Sequence, residues 1–395
     1  MTTLFTHLSR KALDRLGYQP KQGHLDSSSL SLHGEYEQGQ AEAAEVQITQ
    51  GYSKDHRPDL PQVVLQLICE NLHGIPMHME VLNGDSNDSV SFRRTVQSFG
   101  RQLHSEDGIR TIIADSKLYG KDTLHALQES RLNWICRVPG TLAAVKTLQR
   151  DLEPGDLEAL AEEGYSSACY TFDYGNVDQH WVVYHSEQAG GRAQKTLQRQ
   201  VNKEAGKAEK SFKKPRRQAF HCSEDAQKAA QGWLKQWKWH KLEDVQVFEK
   251  ATYEQPGRPK ADSKAEVFHY LDGALAVDQT RWDRDIFERS LFILATNEQI
   301  NTLEEQQELL DKYKEQHSVE RGFRFIKDPN IVASSFVKKP KRVAALLFVM
   351  TCCLLVYSAL EYKIRKAINR EGKPIPDQKG KPTESLLHVG FSSSL

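Results

Sequence analysis

Residues 110–138, RTIIADSKLYGKDTLHALQESRLNWICRV, decide the fold class because a helical segment lies between two short apolar runs. The pattern predicts a strand at Arg110–Ala114, a helix at Lys121–Ser130 and a second strand at Leu132–Val138. Two strands joined by a crossover helix pair in parallel, with a right-handed connection. This stretch therefore predicts an α/β fold, with Asp115 at the carboxyl end of the first strand.

The residues before this stretch change from strand to helical spacing. Alternating or continuous apolar runs predict strands at His24–Leu32, Gln62–Cys69 and Pro76–Leu82, which we interpret as an antiparallel meander. Asn87–Leu103 has apolar residues at helical spacing. The first 17 residues predict an amphipathic helix and lack the apolar core of a signal peptide, so they do not indicate export.

The region 139–288 has a different character and is interpreted as a β-rich insertion. A polar helix from Gln188 to about Lys210 divides its strands and runs into a basic stretch. The expected strands are Tyr170–Tyr174, Gln179–Ser186, Asp244–Lys250 and Ala265–Val277. The basic stretch contains Lys213, Lys214, Arg216 and Arg217. Such a charge run is either a solvated face or a phosphate-contacting surface, and the spacing alone does not separate the two.

The C-terminal part returns to core-like patterns. Arg289–Thr296 predicts an apolar strand, and Asn301–Ile326 predicts one long helix that ends at Asp328. Val343–Leu360 is an 18-residue run without a charge, at the lower limit for spanning a bilayer. Basic residues flank it on both sides, and we interpret it as a buried helix of the core, with a membrane span as the alternative. Residues 367–395 are predicted to be disordered.

Composition limits the classes of protein that remain. The chain has 395 residues with 53 basic and 53 acidic side chains, so attraction to a polyanion must come from local clusters of charge. A mean hydropathy of −0.62 excludes a bundle of membrane spans, while a hydrophobic fraction of 38% is too high for a disordered chain. Six cysteines form no C-x-x-C pair, which indicates neither a disulfide framework nor a zinc knuckle and favours a reducing compartment.

Three acidic residues are candidates for chemistry. Asp26 lies in the first strand, Asp115 follows a parallel strand, and Glu320 lies in the late helix. Ligands of α/β sheets bind beyond the carboxyl ends of the strands, which favours Asp115. Taken singly, each acid is better explained as a structural residue, in a turn or on a helix surface, than as a functional one.

The sequence around Glu320 adds a second line of argument. Residues 313–327, YKEQHSVERGFRFIK, resemble the Y-x2-R-x3-E-x6-K signature of the IS4-like DDE transposases, with Tyr313, Gln316, Glu320 and Lys327 in register. On one continuous helix, these spacings put the four side chains on one stripe. Further segments at 24–36, 51–60, 74–88 and 113–115 look like successive blocks of the IS1634-type branch, and the resemblance covers about residues 20–366.

The resemblance implies an RNase H-like mixed sheet flanked by helices and interrupted by a β-rich insertion. The catalytic core then comprises residues 1–138 and 289–366, the insertion 139–288 and the tail 367–395. The implied activity is that of a DNA transposase, which cleaves phosphodiester bonds and transfers strands at transposon ends. The implied partners are double-stranded DNA and a second copy of the chain in a synaptic complex. The implied location is the cytoplasm at the nucleoid, without stable membrane association.

The resemblance also implies roles for individual residues. Asp26, Asp115 and Glu320 become the catalytic carboxylates, which hold two Mg²⁺ ions that Mn²⁺ can replace. The implied DNA contacts come from Tyr313, Gln316, Arg324 and Lys327, together with Lys213, Lys214, Arg216 and Arg217 in the insertion.

Two departures from the family pattern leave an alternative open. Position 316 is Gln where the signature has Arg, and an amide lacks the charged, bidentate grip of a guanidinium. Lys314, Arg321 or Arg324 are candidates to replace that charge. Asp26 also lies close to Met1, which suggests a chain truncated before its first aspartate. The alternative is a catalytically impaired, DNA-binding remnant of a transposase, and a membrane-anchored protein is a more distant one.

Overall fold

The computed structural model describes residues 1–34, 36, 46–54, 56–105, 108–253, 265–328, 337, 339–372, 375–376 and 382–383. These residues form two compact units. The first unit contains residues 1–145, 168–183 and 293–395, and the second contains 146–167 and 184–292.

The helices and strands are numbered in chain order. The helices are α1 (Thr2–Leu16), α2 (Asp88–Ser105), α3 (Lys121–Glu129), α4 (Ala143–Asp151), α5 (Glu187–Arg217), α6 (Ser223–Leu234), α7 (Gln279–Ser290), α8 (Leu303–Lys314), α9 (His317–Ile326) and α10 (Pro340–Glu371). The strands are β1 (Gln22–Ser31), β2 (Gln62–Glu70), β3 (Pro76–Leu82), β4 (Thr111–Ala114), β5 (Asn133–Arg137), β6 (Glu158–Ala159), β7 (Tyr165–Asp173), β8 (Asp178–Ser186), β9 (His240–Tyr253), β10 (Ala265–Val277), β11 (Leu291–Thr296), β12 (Ile375–Pro376) and β13 (Pro382–Thr383). A 3₁₀ turn lies at Pro154–Asp156.

The first unit is built on a sheet with the strand order β3-β2-β1-β4-β5-β11-β8-β7. β1 pairs antiparallel with β2 and parallel with β4, and β4 pairs parallel with β5. β3 is antiparallel to β2, so β2 alone runs against the other strands of the group β3-β2-β1-β4-β5. This arrangement, with helices on its faces, confirms the predicted RNase H-like mixed sheet.

The burial of the sheet follows from its sequence. All nine residues of β2, QVVLQLICE, are buried, as its continuous apolar pattern predicts for a strand covered on both faces. α2 packs one face inward through Phe92, Val96 and Leu103, and α3 does the same through Leu124 and Leu127. The helical and strand periods of the sequence therefore place these elements correctly.

The late helical pattern is two helices, so the prediction of one helix over residues 301–326 is wrong. α8 ends at Lys314 and α9 begins at His317. Short hydrogen-bonded turns join them: the Gln316 amide donates to the Tyr313 carbonyl at 3.2 Å, and the Ser318 amide donates to the Glu315 carbonyl at 2.9 Å. Tyr313 and Glu320 consequently lie on different helices.

A glycine lets α9 approach the turn between β2 and β3. Gly74 has a φ of 66°, and a Cβ atom added there would lie 3.1 Å from the Ser318 carbonyl oxygen. Any larger residue would be strained in this conformation and crowded against the helix. The close approach fixes the N-terminal end of α9, on which Glu320 lies.

α10 contains the apolar run of the sequence. It is long and apolar enough to cross a membrane by length and composition, and 44% of its most apolar window is buried. Val343, Leu347, Met350 and Leu354 form a buried stripe at helical spacing, and the Ser358 hydroxyl donates to the Gly74 carbonyl at 3.3 Å. α10 packs on α1, α9 and β3, while its Val349, Val356 and Leu360 side chains are exposed.

The second unit joins a long antiparallel hairpin, β9 and β10, to helices α5, α6 and α7. Its apolar cluster contains Phe212, Phe220, Trp233 and Leu271. α5 continues seven residues beyond the predicted Lys210, so the basic stretch lies within its last turns. Residue spacing did not predict α4, α6 or α7. In the tail, α10 continues to Glu371 and β12 pairs with β13, and the other residues after Gly372 lie outside those described.

Candidate active site

Two of the predicted carboxylates lie side by side on the sheet. β1 and β4 are parallel neighbours, with Leu25 paired with Ala114. Asp26 and Asp115 are the next residue on each strand, so they share the edge at which β4 ends. The carboxyl ends of parallel strands are the usual place for a ligand in an α/β sheet.

Glu320 joins Asp26 at one cavity of about 550 Å³, here called the Asp26 cavity. The carboxylates come from opposite ends of the chain, one on β1 and one on α9. The cavity is lined by Asp26, Ser27, Ser28, Lys54, Glu320, Phe323, Arg324, Lys327 and Asp328. The structure therefore brings together four of the predicted site residues, Asp26, Glu320, Arg324 and Lys327.

The two aspartates are partly withdrawn from solvent. The pKa of Asp26 is raised to about 6, mainly by burial and also by the Asp115 and Asp88 carboxylates, while the Lys54 ammonium opposes the shift. Burial likewise raises the pKa of Asp115. Each carboxylate accepts one backbone amide, from Ser27 at 2.7 Å and from Lys117 at 2.9 Å. Cations near them are consequently favoured.

Lys54 is a cavity residue to which sequence reasoning assigned no role. Its ammonium lies 3.8 Å from Asp26 Oδ1 and 3.4 Å from Asp88 Oδ2. It also donates to the Ser27 carbonyl at 2.5 Å and to Ser27 Oγ at 3.1 Å. The signal was present in the segment 51–60, which resembles a family block, but its spacing does not show which side chain reaches the aspartates.

Tyr313 and Gln316 have separate surroundings, contrary to the single stripe expected of a continuous helix. The pKa of Tyr313 is raised to about 12, mainly by burial; Arg137 opposes the shift, and Asp115 and Asp26 contribute to it, so the phenol lies within their electrostatic reach. Gln316 lies at the junction of α8 and α9, where its carbonyl accepts the Val319 amide at 3.1 Å.

Of the cations considered as replacements for the missing arginine, Arg324 lines the Asp26 cavity. Arg321 instead faces α10, with Nη1 at 3.8 Å from Glu361 Oε1. The positive charges of the cavity are therefore supplied by Lys54, by Arg324 on α9 and by Lys327, which follows that helix.

A partly buried set of polar side chains, here called the anchor cluster, holds the junction of α8 and α9. It consists of Gln22, His24, Asn71 and Glu315. The Asn71 amide donates to Gln22 Oε1 at 2.9 Å and to the Glu315 carboxylate, and its oxygen contacts His24 Nε2. Burial lowers the pKa of His24 to about 4 and raises the pKa of Glu315. The cluster ties β1 and β2 to the chain between Tyr313 and Glu320.

The donor chemistry of the site fits a hard divalent cation, because Mg²⁺ prefers carboxylate oxygens, water and phosphate. Asp26 and Glu320 share the cavity, and Asp115 follows the neighbouring strand. Within the described part of the chain, no three His, Cys, Asp or Glu side chains are close enough together to hold a metal ion. The carboxylates of Asp26, Asp115 and Glu320 are therefore ligands of the kind that Mg²⁺ prefers, but the three are not close enough together to bind one ion.

The basic stretch of the second unit lies at the C-terminal end of α5. Lys213, Lys214, Arg216 and Arg217 are all exposed. Arg216 forms two contacts of 3.0 Å with the Asp272 carboxylate. Cations are stabilised at the C-terminal end of a helix, which accounts for the cluster without a ligand.

Comparison with known proteins gives a match to a family model and matches to solved structures. A family model described as a transposase DDE domain matches residues 18–356, a range that includes Asp26, Asp115 and Glu320. Among solved structures, a cryo-EM structure of a piggyBac transposase synaptic complex with hairpin DNA is 7% identical with a TM-score of 0.38. That match covers 88% of this chain and 48% of the piggyBac chain, so this chain spans about half of its length. Comparison with curated proteins gives no match.

Proposed function

The chain belongs to the transposase DDE domain family, and from that premise we propose that it is a DNA transposase, which cleaves phosphodiester bonds at transposon ends and transfers the freed strand. The observation that carries the proposal is the Asp26 cavity. Carboxylates from β1 and α9 line it together with the cations Lys54, Arg324 and Lys327. Such a cavity offers both oxygen ligands for metal and donors for phosphate.

Asp26, Asp115 and Glu320 are the residues that would hold two divalent ions, Mg²⁺ in the cell and Mn²⁺ as a substitute. Bound metal would polarise the phosphate and activate water, and then a DNA 3′-hydroxyl, for in-line attack. Arg324 and Lys327 donate hydrogen bonds to phosphate oxygens across the cavity. Tyr313, whose raised pKa keeps its phenol protonated, is a further donor near the two aspartates.

The proposed partners are double-stranded DNA, as transposon end and as target, and a second copy of this chain in the synaptic complex. Lys213, Lys214 and Arg217, with Arg216, would contact the phosphate backbone without reading sequence. The blocks quoted from the sequence favour membership of the IS1634-type branch. A transposase acts where the chromosome lies, which favours the bacterial cytoplasm at the nucleoid.

A second candidate is a DNA-binding remnant that no longer cleaves. The amide of Gln316, in place of a guanidinium, favours it because one charged phosphate ligand is lost from the junction of α8 and α9.

A cleavage assay decides between the two candidates. The substrate is a supercoiled plasmid carrying the gene of this chain with its flanking DNA, incubated with Mg²⁺ or Mn²⁺. We expect nicking and strand joining by the wild-type chain, and a loss of about a thousandfold on Asp115→Asn, since a metal ligand is removed. Asp122→Asn is the matched control, because its carboxylate is exposed and paired with Arg93.

Persistent metal-dependent cleavage by the Asp115→Asn chain would refute the assigned site. DNA binding without cleavage by the wild-type chain would instead establish the remnant.

A further inference from the structure

Lys54 is held beside Asp26 by more contacts than a surface lysine usually makes. Its ammonium donates to the Ser27 carbonyl and hydroxyl, and carboxylates of Asp26 and Asp88 lie within 3.8 and 3.4 Å of it. Its backbone amide donates to Ser29 Oγ at 2.9 Å, which fixes the loop against β1. The ammonium therefore has a defined position on the carboxylate side of the cavity.

The surroundings of Lys54 are strongly acidic. Asp88, at the start of α2, accepts a 2.5 Å hydrogen bond from Ser27 Oγ. The Lys54 ammonium also acts electrostatically on Asp115, together with Lys117. Across the cavity lie Glu320, Arg324, Lys327 and Asp328. The Lys54 ammonium thus lies within 3.8 Å of two aspartates and acts electrostatically on the third.

We propose that Lys54 is an internal counter-ion of Asp26, whose ammonium competes with a divalent cation for the same carboxylate in the DNA-free protein. The inference rests on the proposed function, because that function makes Asp26 a metal ligand. Two cations cannot both lie against one carboxylate without mutual repulsion. Metal must therefore displace the ammonium, which weakens metal binding until the lysine moves away.

Lys54→Gln tests the competition in the DNA-free full chain by calorimetric titration with Mn²⁺. The amide keeps a donor for the Ser27 carbonyl and removes the charge. We expect the Mn²⁺ dissociation constant to fall about tenfold, since a unit positive charge 3.8 Å from the Asp26 carboxylate is removed from a partly buried site. Lys54→Arg keeps the charge and is expected to bind Mn²⁺ as the wild type does.

Lys146→Gln is the matched control, because Lys146 is exposed on α4 and belongs to the second unit. It is expected to leave Mn²⁺ affinity unchanged, which separates a local effect from a change in net charge. Thermal unfolding of each variant shows whether the fold is kept, and an Asp26→Asn chain shows whether the titrated ion binds at this carboxylate.

The outcomes distinguish a failure of the proposed competition from a failure of the metal site on which it rests. Unchanged or weaker Mn²⁺ binding by folded Lys54→Gln, with binding still dependent on Asp26, overturns the competition and leaves the transposase proposal standing. Equal gains on Lys54→Gln and Lys146→Gln also overturn it, since net charge then explains both. Mn²⁺ binding that ignores Asp26→Asn, or no binding by any chain, overturns the inference and the metal site together.

Discussion

The anchor cluster and the Asp26 cavity use the same face of β1 in opposite ways. His24 and Asp26 are two residues apart on that strand, so their side chains leave the same side of the sheet. His24 is fully buried and contacts an amide, whereas the Asp26 side chain is 18% exposed and faces a lysine. A distance of two residues thus separates a buried structural contact from a carboxylate accessible to ions.

The anchor cluster and the Asp26 cavity have opposite effects on the stability of the folded chain. The anchor cluster joins β1, β2 and the α8–α9 junction through neutral or buried donors, whose removal leaves groups without partners. The cavity keeps like charges close together and only partly neutralised, which costs stability and favours a bound cation. Variants at the cavity should therefore change chemistry, and variants at the anchor should change folding.

The largest expected effect is that of Asp26→Asn. Cleavage should fall by about a thousandfold because a metal ligand is lost. The unfolding temperature at pH 7 should stay the same or rise. A folded-state pKa of about 6 lies above the usual value of 3.8, so the ionised carboxylate destabilises the folded chain above that range. The nicking assay measures cleavage, and thermal unfolding followed by circular dichroism measures stability. A clear fall in unfolding temperature would contradict the expectation that cavity variants change chemistry and not folding.

Asn71→Ala should have the opposite effects, a clear loss of stability and a smaller loss of cleavage. It removes the contacts of the amide to His24, Gln22 and Glu315, so the free energy of unfolding should fall by about 2–3 kcal/mol. Cleavage should fall by less than on Asp26→Asn, since the cavity side chains remain. Urea denaturation measures the loss, with the exposed Asn301→Ala as the matched control. Equal stability of the two variants would show that the anchor cluster does not fix the junction.

Local patterns were sufficient to predict most of this framework. β3 and β10 have the predicted bounds, because strand alternation and turn residues are encoded by neighbours in the sequence. The junction of α8 and α9 was missed because its cause is distant: Glu315 contacts Asn71, which lies in a turn far away in the sequence. The helical period continues through the break, so no local signal marks it.

The same limit applies to the site. The family resemblance indicated Asp26, in the segment 24–36, and Glu320, in the signature, and the structure places both at one cavity. Lys54 and Asp88 were missed because their pairing depends on a loop and a helix start that meet over β1. Charge pairs of this kind follow from tertiary packing, and residue spacing contains no trace of them.

His78 is a second buried histidine, and it differs from His24 in having no hydrogen-bond partner among the described residues. His78 on β3 is fully buried beside Phe99, and neither ring nitrogen has a hydrogen-bond partner among the described residues. Burial lowers its pKa from 6.5 to about 4, so between these values the unfolded chain binds more protons than the folded one. Stability due to the neutral ring is therefore present above pH 6.5 and is lost as the pH falls towards 4.

His78→Leu should remove this dependence. Relative to the wild type, the variant should gain about 2 kcal/mol of unfolding free energy between pH 7 and about pH 4.5. Urea denaturation across that range measures the gain, with the exposed His7→Leu as the control. A parallel pH dependence of variant and wild type would show that the ring is protonated without cost in the folded chain.

The smallest expected effect is on DNA binding by α5, in the second unit. There, as in the first unit, a cation paired with a carboxylate can be compared with a neighbouring side chain that is exposed. Arg216 contacts Asp272, as Lys54 contacts Asp26, whereas Lys214 is exposed on the same turn. If the stretch contacts phosphate, Lys214→Gln should weaken binding to a short random-sequence duplex about threefold and lower the salt slope by about 0.9. Arg216→Gln should do less, because Asp272 already neutralises the guanidinium. Fluorescence anisotropy at several salt concentrations measures the affinity and the salt slope of both variants. Equal affinities for wild type and Lys214→Gln would show that this basic turn is a solvated face, stabilised by the helix dipole alone.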